Sequence, residues 1–240
     1  ELRMLFWQGV LNPMPQNLKL VFVSDYLAKE VMADYKVTLP EDQWTVIHNP
    51  INTDLFSYQK KSAEQRKKIL SIRPYASRVY ANDLSTKAIL ELSTKPFFKE
   101  LEFCLIGDGP LFDETMEPLR GFENVSIQQR FLSQQEISAC HKDYGVMLIP
   151  SRSDTHGVSR DEAMSSGLVP VTNAVAAIPE FVDETCGILA PSEDWKVLAD
   201  GIEDLYQKPA RFELLSVAAH KRVQKQAALQ NMISKEIQLF

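Results

Sequence analysis

Short apolar runs alternate along the chain with stretches whose apolar positions recur every three to four residues, the pattern of strands interleaved with amphipathic helices. Residues 19–23 read as a buried strand, Ser24 and Asp25 as a helix cap, and residues 26–35 as a helix carrying Leu27, Val31 and Met32 on its apolar face. Residues 44–47 make a second strand. From His48 to Asp54 the cluster of Asn, Pro and Asp predicts an extended connector where domains join. The basic stretch 60–68 reads as a solvated loop.

Beyond it the alternation is more regular. Strands are predicted at 69–72, 102–106, 125–128, 145–149 and 169–171. Between them come a helix through Leu92 capped by Asp83, a helix opened by the capping box Ser133-x-x-Glu136, and a helix over 159–166. The fold class this implies is α/β, a Rossmann-like doubly wound parallel sheet. In such sheets ligands sit beyond the carboxyl ends of the strands, so chemistry is expected in the loops after Ile72, Ile106, Ile149 and Val171. Helical periodicity returns over 195–206, 212–223 and 229–240, predicting packing helices at the end.

Composition narrows the class. With 240 residues, 45% hydrophobic and 24% charged, the chain can bury a proper core. A net charge of -6 speaks against a nucleic-acid surface, so an anionic ligand would need a locally basic pocket. The three cysteines, Cys104, Cys140 and Cys186, show no Cys-x-x-Cys pairing, which fits a reduced, cytoplasmic compartment. His48, His141, His156 and His220 are too far apart in sequence for metal-ligand spacing. No apolar run approaches the ~20 residues that span a bilayer, so at most peripheral contact with the inner membrane face is expected. The chain opens on Glu1 and runs at once into Met4-Leu5-Phe6-Trp7, a strand-like start, which reads as a truncated N-terminus.

The densest chemistry lies between Ser151 and Gly167. A strand-end loop there feeds a helix, with Asp154 and Glu162 separated by seven residues. A helix N-terminus offers free N–H groups and the positive end of a dipole, so amides near Gly157 and Val158 suit a diphosphate or sugar hydroxyls, and Gly157 would let a ligand approach. Ser159-x-x-Glu162 is also a capping box, in which Glu162 would bond only backbone. Spacing alone leaves these two readings level.

This segment resembles the acidic motif of glycosyltransferase family four, Glu-Gly-Phe-Gly, four residues, then Glu-Ala-Met-Ala-x-Gly. Here it runs Asp154-Thr155-His156-Gly157, then Glu162-Ala163-Met164-Ser165-Ser166-Gly167. Further landmarks follow the family's order: Val46-Ile47-His48-Asn49-Pro50 at the linker, Gly107-Asp108-Gly109-Pro110 at a strand-end turn, and Ile178-Pro179-Glu180. The resemblance implies the C-terminal half of a GT-B fold, with residues 1–50 a remnant of the N-terminal acceptor domain plus linker. Residues 51–225 would then be the nucleotide-sugar-binding domain and 226–240 a helix crossing back. That would leave Met232, Ile233, Ile237 and Phe240 partly exposed.

By the same resemblance Arg73 and Arg78 would hold the donor diphosphate, and an arginine fork is chemically apt for phosphate oxygens. Glu162 would bind the ribose hydroxyls and Asp154 would meet the transferred sugar or its phosphate side. Amides at His156, Gly157 and Val158 would position the sugar, with Gly107 in the strand-end turn, and Arg130 and Phe131 would lie near the base. Asp154 stands where the family has glutamate, His156 where it has phenylalanine, and Ile72 where it has glycine before the arginine. His156 either donates to the donor sugar or is a loop histidine without a ligand role. The implied activity is retaining, metal-independent hexosyl transfer from a nucleoside diphosphate sugar to a glycan or lipid-linked acceptor, without cofactor, in surface polysaccharide synthesis. Acceptor binding would belong largely to the missing domain, so this chain alone is expected to bind donor and transfer poorly. Two alternatives come from other classes: a non-catalytic nucleotide or sugar-binding module, and an epimerase-like or phosphorylase-like enzyme of similar fold.

Overall fold

The computed structural model describes residues 2–239. The chain opens with α1 (Leu2–Leu11), β1 (Leu20–Phe22), α2 (Asp25–Tyr35) and β2 (Trp44–Val46). The two strands pair in parallel, Leu20 opposite Trp44, as a small sheet of their own. Residues 4–7, expected as strand, are helix. A short apolar run does not separate the two states, and Leu, Met and Gln favour helix, while Gln8 ties α1 to the Tyr35 carbonyl at 2.9 Å. The cap of α2 forms as expected, the Ser24 hydroxyl accepting from the Leu27 amide at 3.2 Å. Leu11, Met14, Phe22, Ala28, Val37 and Leu39 close a small core around these elements.

The main sheet contains β3 (Lys68–Ile72), β4 (Glu102–Gly107), β5 (Val125–Gln129), β6 (Val146–Leu148), β7 (Val169–Asn173) and β8 (Ile188–Ala190). All pair in parallel, in the order β5-β4-β3-β6-β7-β8. Successive strand residues point to opposite faces. Ile69, Phe103, Leu105, Val146 and Leu148 therefore enter one core, and Leu70, Cys104, Ile106 and Met147 the other. The helices are α3 (Asn82–Leu92), α4 (Phe112–Met116), α5 (Gln134–Asp143), α6 (Val158–Ser165), α7 (Ile178–Phe181), α8 (Trp195–Gln207), α9 (Pro209–Gln226) and α10 (Leu229–Ile237). The first face is covered by α3, α4 and α8 and the second by α5 and α6, which is why the central strands read as unbroken apolar runs.

Two local expectations change, and one strand appears that the pattern did not predict. Asp83 does not cap α3. The cap position is Ala81, in the left-handed region at φ 50°, and Asp83 lies in the first turn with its carboxylate on Arg152 at 2.7 and 2.9 Å. The basic stretch is no solvated loop: Ala63–Lys67 is a 3-10 turn, Lys68 opens β3, and Lys61 is 2% exposed with its ammonium donating to the His141 carbonyl. Burial lowers the Lys61 amine to about 8. β8, three residues long between Gly187 and Pro191, has no signature of its own in the pattern.

At the C-terminus the chain returns to the connector between β2 and β3. The Ile51 amide donates to the Ala227 carbonyl at 2.8 Å, and the Leu229 amide to the Ile51 carbonyl at 3.0 Å. On α10, Ile233 and Ile237 are exposed while Met232 is fully buried; Phe240 lies outside the described residues. β3 sits between β4 and β6, so the chain winds one way from β3 to β5 and the other way from β6 to β8. The carboxyl ends of β3 and β6 therefore flank the crevice where a doubly wound sheet receives ligands.

Candidate functional site

Arg73 follows β3, its amide extending the ladder to the Ile106 carbonyl at 3.0 Å. Its guanidinium turns into the crevice and is 7% exposed. Nη2 reaches the Pro150 carbonyl at a long 3.4 Å, Cζ lies 5.0 Å from the centre of the Tyr80 ring, and Nε has no partner. Burial pulls this guanidinium below its ordinary value, opposed by the Asp154 carboxylate. A buried arginine stays charged, so the arrangement is a cation held ready with donors unspent.

On the other side, β6 runs into the loop from Ser151 to Gly157. Asn173 clamps its start reciprocally, accepting from the Ser151 amide at 2.8 Å and donating to the Ser151 carbonyl at 2.7 Å. Arg152 spans Asp83 and Glu193 and also donates to the Arg78 carbonyl, fixing the loop against the turn that carries Tyr80. Asp154 accepts from the His156 amide at 3.0 Å. Gly157 then starts α6 at φ 91°, with no side-chain cap. The first-turn amides of α6 thus have no intrahelical acceptor and stand at the positive end of the helix. A cleft of about 270 Å³ lies here, lined by Asn49, Arg73, Tyr80, Asp154 and residues 155–160.

Along the cleft wall runs a buried polar network. The Asn49 amide donates to His156 Nδ1 at 3.0 Å, which leaves the ring proton on Nε2 to donate to Asp161 at 2.9 Å. Arg160 Nε donates to the other Asp161 oxygen at 2.8 Å, its Nη2 bonds the His156 carbonyl, and its Cζ lies 4.8 Å from the Phe181 ring centre. His156 also stacks on Phe181, at 4.5 Å. Both ring nitrogens of His156 are therefore spent, and so is its amide. In this arrangement His156 holds the connector to α6.

Glu162 lies one turn after Val158 on the same face of α6 and is 8% exposed. No capping box forms with Ser159, because the helix begins at Val158 with Gly157 as its cap. Burial first, and then the charge of Asp161, raises the Glu162 carboxyl to about 7.

Other expected residues lie elsewhere. Arg78 is exposed, 3.5 Å from Glu114, on the wall of a separate groove between α3 and α4. Gly107 makes close backbone packing: a side chain there would overlap the Arg73 carbonyl and sit 2.7 Å from the Tyr75 ring. Arg130 pairs with Glu136 at 3.1 Å, and Phe131 is 71% exposed. At Gly157, what approaches closely is the Arg160 guanidinium, whose Cζ would be 2.7 Å from an added Cβ. Arg160, Tyr80 and Asn49 line the cleft without having been singled out from the sequence. Arg160 alone carried a signal, a cation in the first turn of a helix against the dipole preference. Among the described residues, no group of three or more His, Cys, Asp or Glu side chains is placed to hold a metal ion, and no helix is long and apolar enough to cross a membrane.

A family model described as glycosyl transferases group 1 matches residues 66–208, more than half of the chain, spanning β3 to α8 and both sides of the cleft. The chain belongs to the group 1 glycosyl transferases. Among curated group 1 relatives, the sulfoquinovosyl transferase of Arabidopsis thaliana is 28% identical over 137 residues, 56% of this chain and 26% of that protein. A glycosyltransferase structure from Rickettsia africae superposes with a TM-score of 0.80 at 16% identity, covering 98% of this chain and 65% of that one. Anabaena HepE, solved with UDP and glucose, superposes at 0.75 with 13% identity, covering 99% and 67%. At such identities the likeness establishes the fold, the Rossmann-like sheet of GT-B glycosyltransferases. The chain spans about a quarter of the Arabidopsis relative and under two thirds of the Rickettsia protein's length.

Proposed function

We propose that this chain is the donor-binding part of a retaining glycosyltransferase, taking a sugar from a nucleoside diphosphate sugar. The observation that carries the reading is the pairing, across one crevice, of the buried Arg73 guanidinium with an unspent Nε–H and the uncapped N-terminus of α6. Both features favour an anion, and both face the cleft. In sugar transfer, negative charge grows on the departing phosphate as the sugar carbon becomes oxocarbenium-like. Donors already aimed at that charge lower the barrier, and removing one typically costs roughly 10²- to 10³-fold in rate. The cations present suffice for this role without a metal or cofactor. Glu162 accepts the ribose hydroxyls and Asp154 meets the sugar side. HepE, of like fold, takes UDP and glucose, which supports a nucleoside diphosphate sugar as the donor class.

In this reading residues 1–50 belong to an acceptor domain, 51–225 form the donor domain, and 226–240 return across the junction. The acceptor is a glycan or lipid-linked sugar in surface polysaccharide synthesis, the setting is the cytoplasmic face of the membrane, and this chain alone binds donor but transfers poorly. The test is calorimetric titration with UDP, GDP and ADP, repeated on Arg73→Ala and Glu162→Ala. Micromolar binding of one nucleotide, weakened tenfold or more by each substitution, is expected; no binding to a folded sample refutes the donor site.

A further inference from the structure

We infer that Arg160 is a phosphate-binding residue of this cleft, gripping the phosphate that lies at the N-terminus of α6; the inference rests on the donor-site reading above. Three of the guanidinium's contacts are fixed by the fold: Nε on Asp161, Nη2 on the His156 carbonyl, and its plane near the Phe181 ring. The remaining nitrogen, Nη1, is buried and has no partner. It lies directly against Gly157, where an added Cβ would overlap it, immediately beneath the turn whose amides open on the cleft.

The placement is unfavourable for a residue with a purely structural task. Arg160 sits in the first turn of α6, where the helix dipole repels a cation. It is also near enough to the buried Arg73 for its charge to disfavour the charged form of Arg73. An apolar side chain would fill the same space without an orphaned donor. Two buried arginines, each with an unpaired N–H, converging with free helix amides are satisfied together by a multiply charged oxyanion. Arg78, which the resemblance assigns to the diphosphate, is engaged with Glu114 on another groove, so Arg160 supplies the second cation.

The test compares, by calorimetry on the 240-residue chain, whichever of UDP, GDP and ADP binds with its monophosphate, for wild type, Arg160→Gln and Arg160→Lys. Thermal melts establish that each variant is folded. The expected result is a roughly tenfold loss of diphosphate affinity in R160Q with monophosphate affinity within threefold, partly restored in R160K. Equal losses for both nucleotides would make Arg160 a positioning residue and overturn the assignment, as would no loss for either. Should R160Q not fold, R160K decides on the same ratio, a shift confined to the diphosphate supporting the assignment and an equal shift overturning it. Wild type that binds no nucleotide overturns the donor site itself, and this inference with it, whereas wild-type binding with an unchanged ratio in the variants removes this inference alone.

Discussion

Asp161→Ala removes the carboxylate that bridges Arg160 Nε at 2.8 Å and His156 Nε2 at 2.9 Å, in a site where none of the three side chains is more than 3% exposed. The substitution leaves a buried guanidinium without its anionic partner and an imidazole N–H without an acceptor. Breaking a buried ion pair from one side costs about 3–5 kcal/mol, a large part of the 5–15 kcal/mol expected for a whole domain. For a chain of this size that corresponds to a fall in melting temperature of roughly 10 °C. The Asn49 amide, which donates to His156, should lose hydrogen-exchange protection at the same time, because His156 loses its anchor. The double variant Arg160→Met with Asp161→Leu is expected to recover the part of the loss due to the stranded guanidinium, while the His156 Nε2–H stays unpaired. The assay is urea denaturation followed by circular dichroism at neutral pH, as a double-mutant cycle. A cost below about 1 kcal/mol for Asp161→Ala, or a double variant as unstable as the single one, would show that the carboxylate does not anchor this network.

Glu162 titrates near 7 in the folded chain against an ordinary 4.5, so between those values the folded state binds more protons than the unfolded one and stability falls as pH rises through that window. Glu162→Gln should abolish that fall, leaving the variant more stable than wild type at pH 8 by up to about 3 kcal/mol, while weakening nucleotide binding; parallel pH–stability curves would dismiss the idea. Gly157→Ala combines a left-handed backbone at φ 91° with overlap of Arg160, and is expected to cost at least about 1–2 kcal/mol in urea denaturation. Arg78→Ala, at an exposed pair with Glu114, should change diphosphate affinity less than threefold where Arg73→Ala changes it tenfold or more, and calorimetry showing equal losses would return Arg78 to the cleft.

Much of the fold was legible because a parallel sheet buried on both faces leaves a plain trace: Val146–Leu148 is apolar throughout, Val169–Asn173 over its first three residues, and the helices between them are periodic. Capping chemistry was legible where it is local, as at Ser24 and at Ser133 with Glu136. It failed at Ser159 and Glu162, where the cap is Gly157, two residues earlier, and the Glu162 carboxylate makes no capping bond. Residues 4–7 and β8 failed because three or four apolar residues carry no period that separates strand from helix.

Five of the six main-sheet strands and the loops at their carboxyl ends were written in the chain, since periodicity and turn chemistry act between neighbouring residues, whereas the strand order that makes the switch point came from packing. The sequence by itself also placed Arg73, Asp154 and Gly157 at strand ends or a helix start, which is a statement about local position. Which cations share the cleft was decided only by the tertiary structure. Arg73 and Arg78 are five residues apart in the chain, yet one is buried beside Asp154 and the other is drawn to Glu114. Arg160 reaches the cleft because Asp161 and Phe181 orient it, and the His156 ring is held on both nitrogens by Asn49, 107 residues earlier, and by Asp161. Burial and pairing across such separations depend on how elements pack, so the pattern along the chain does not contain them.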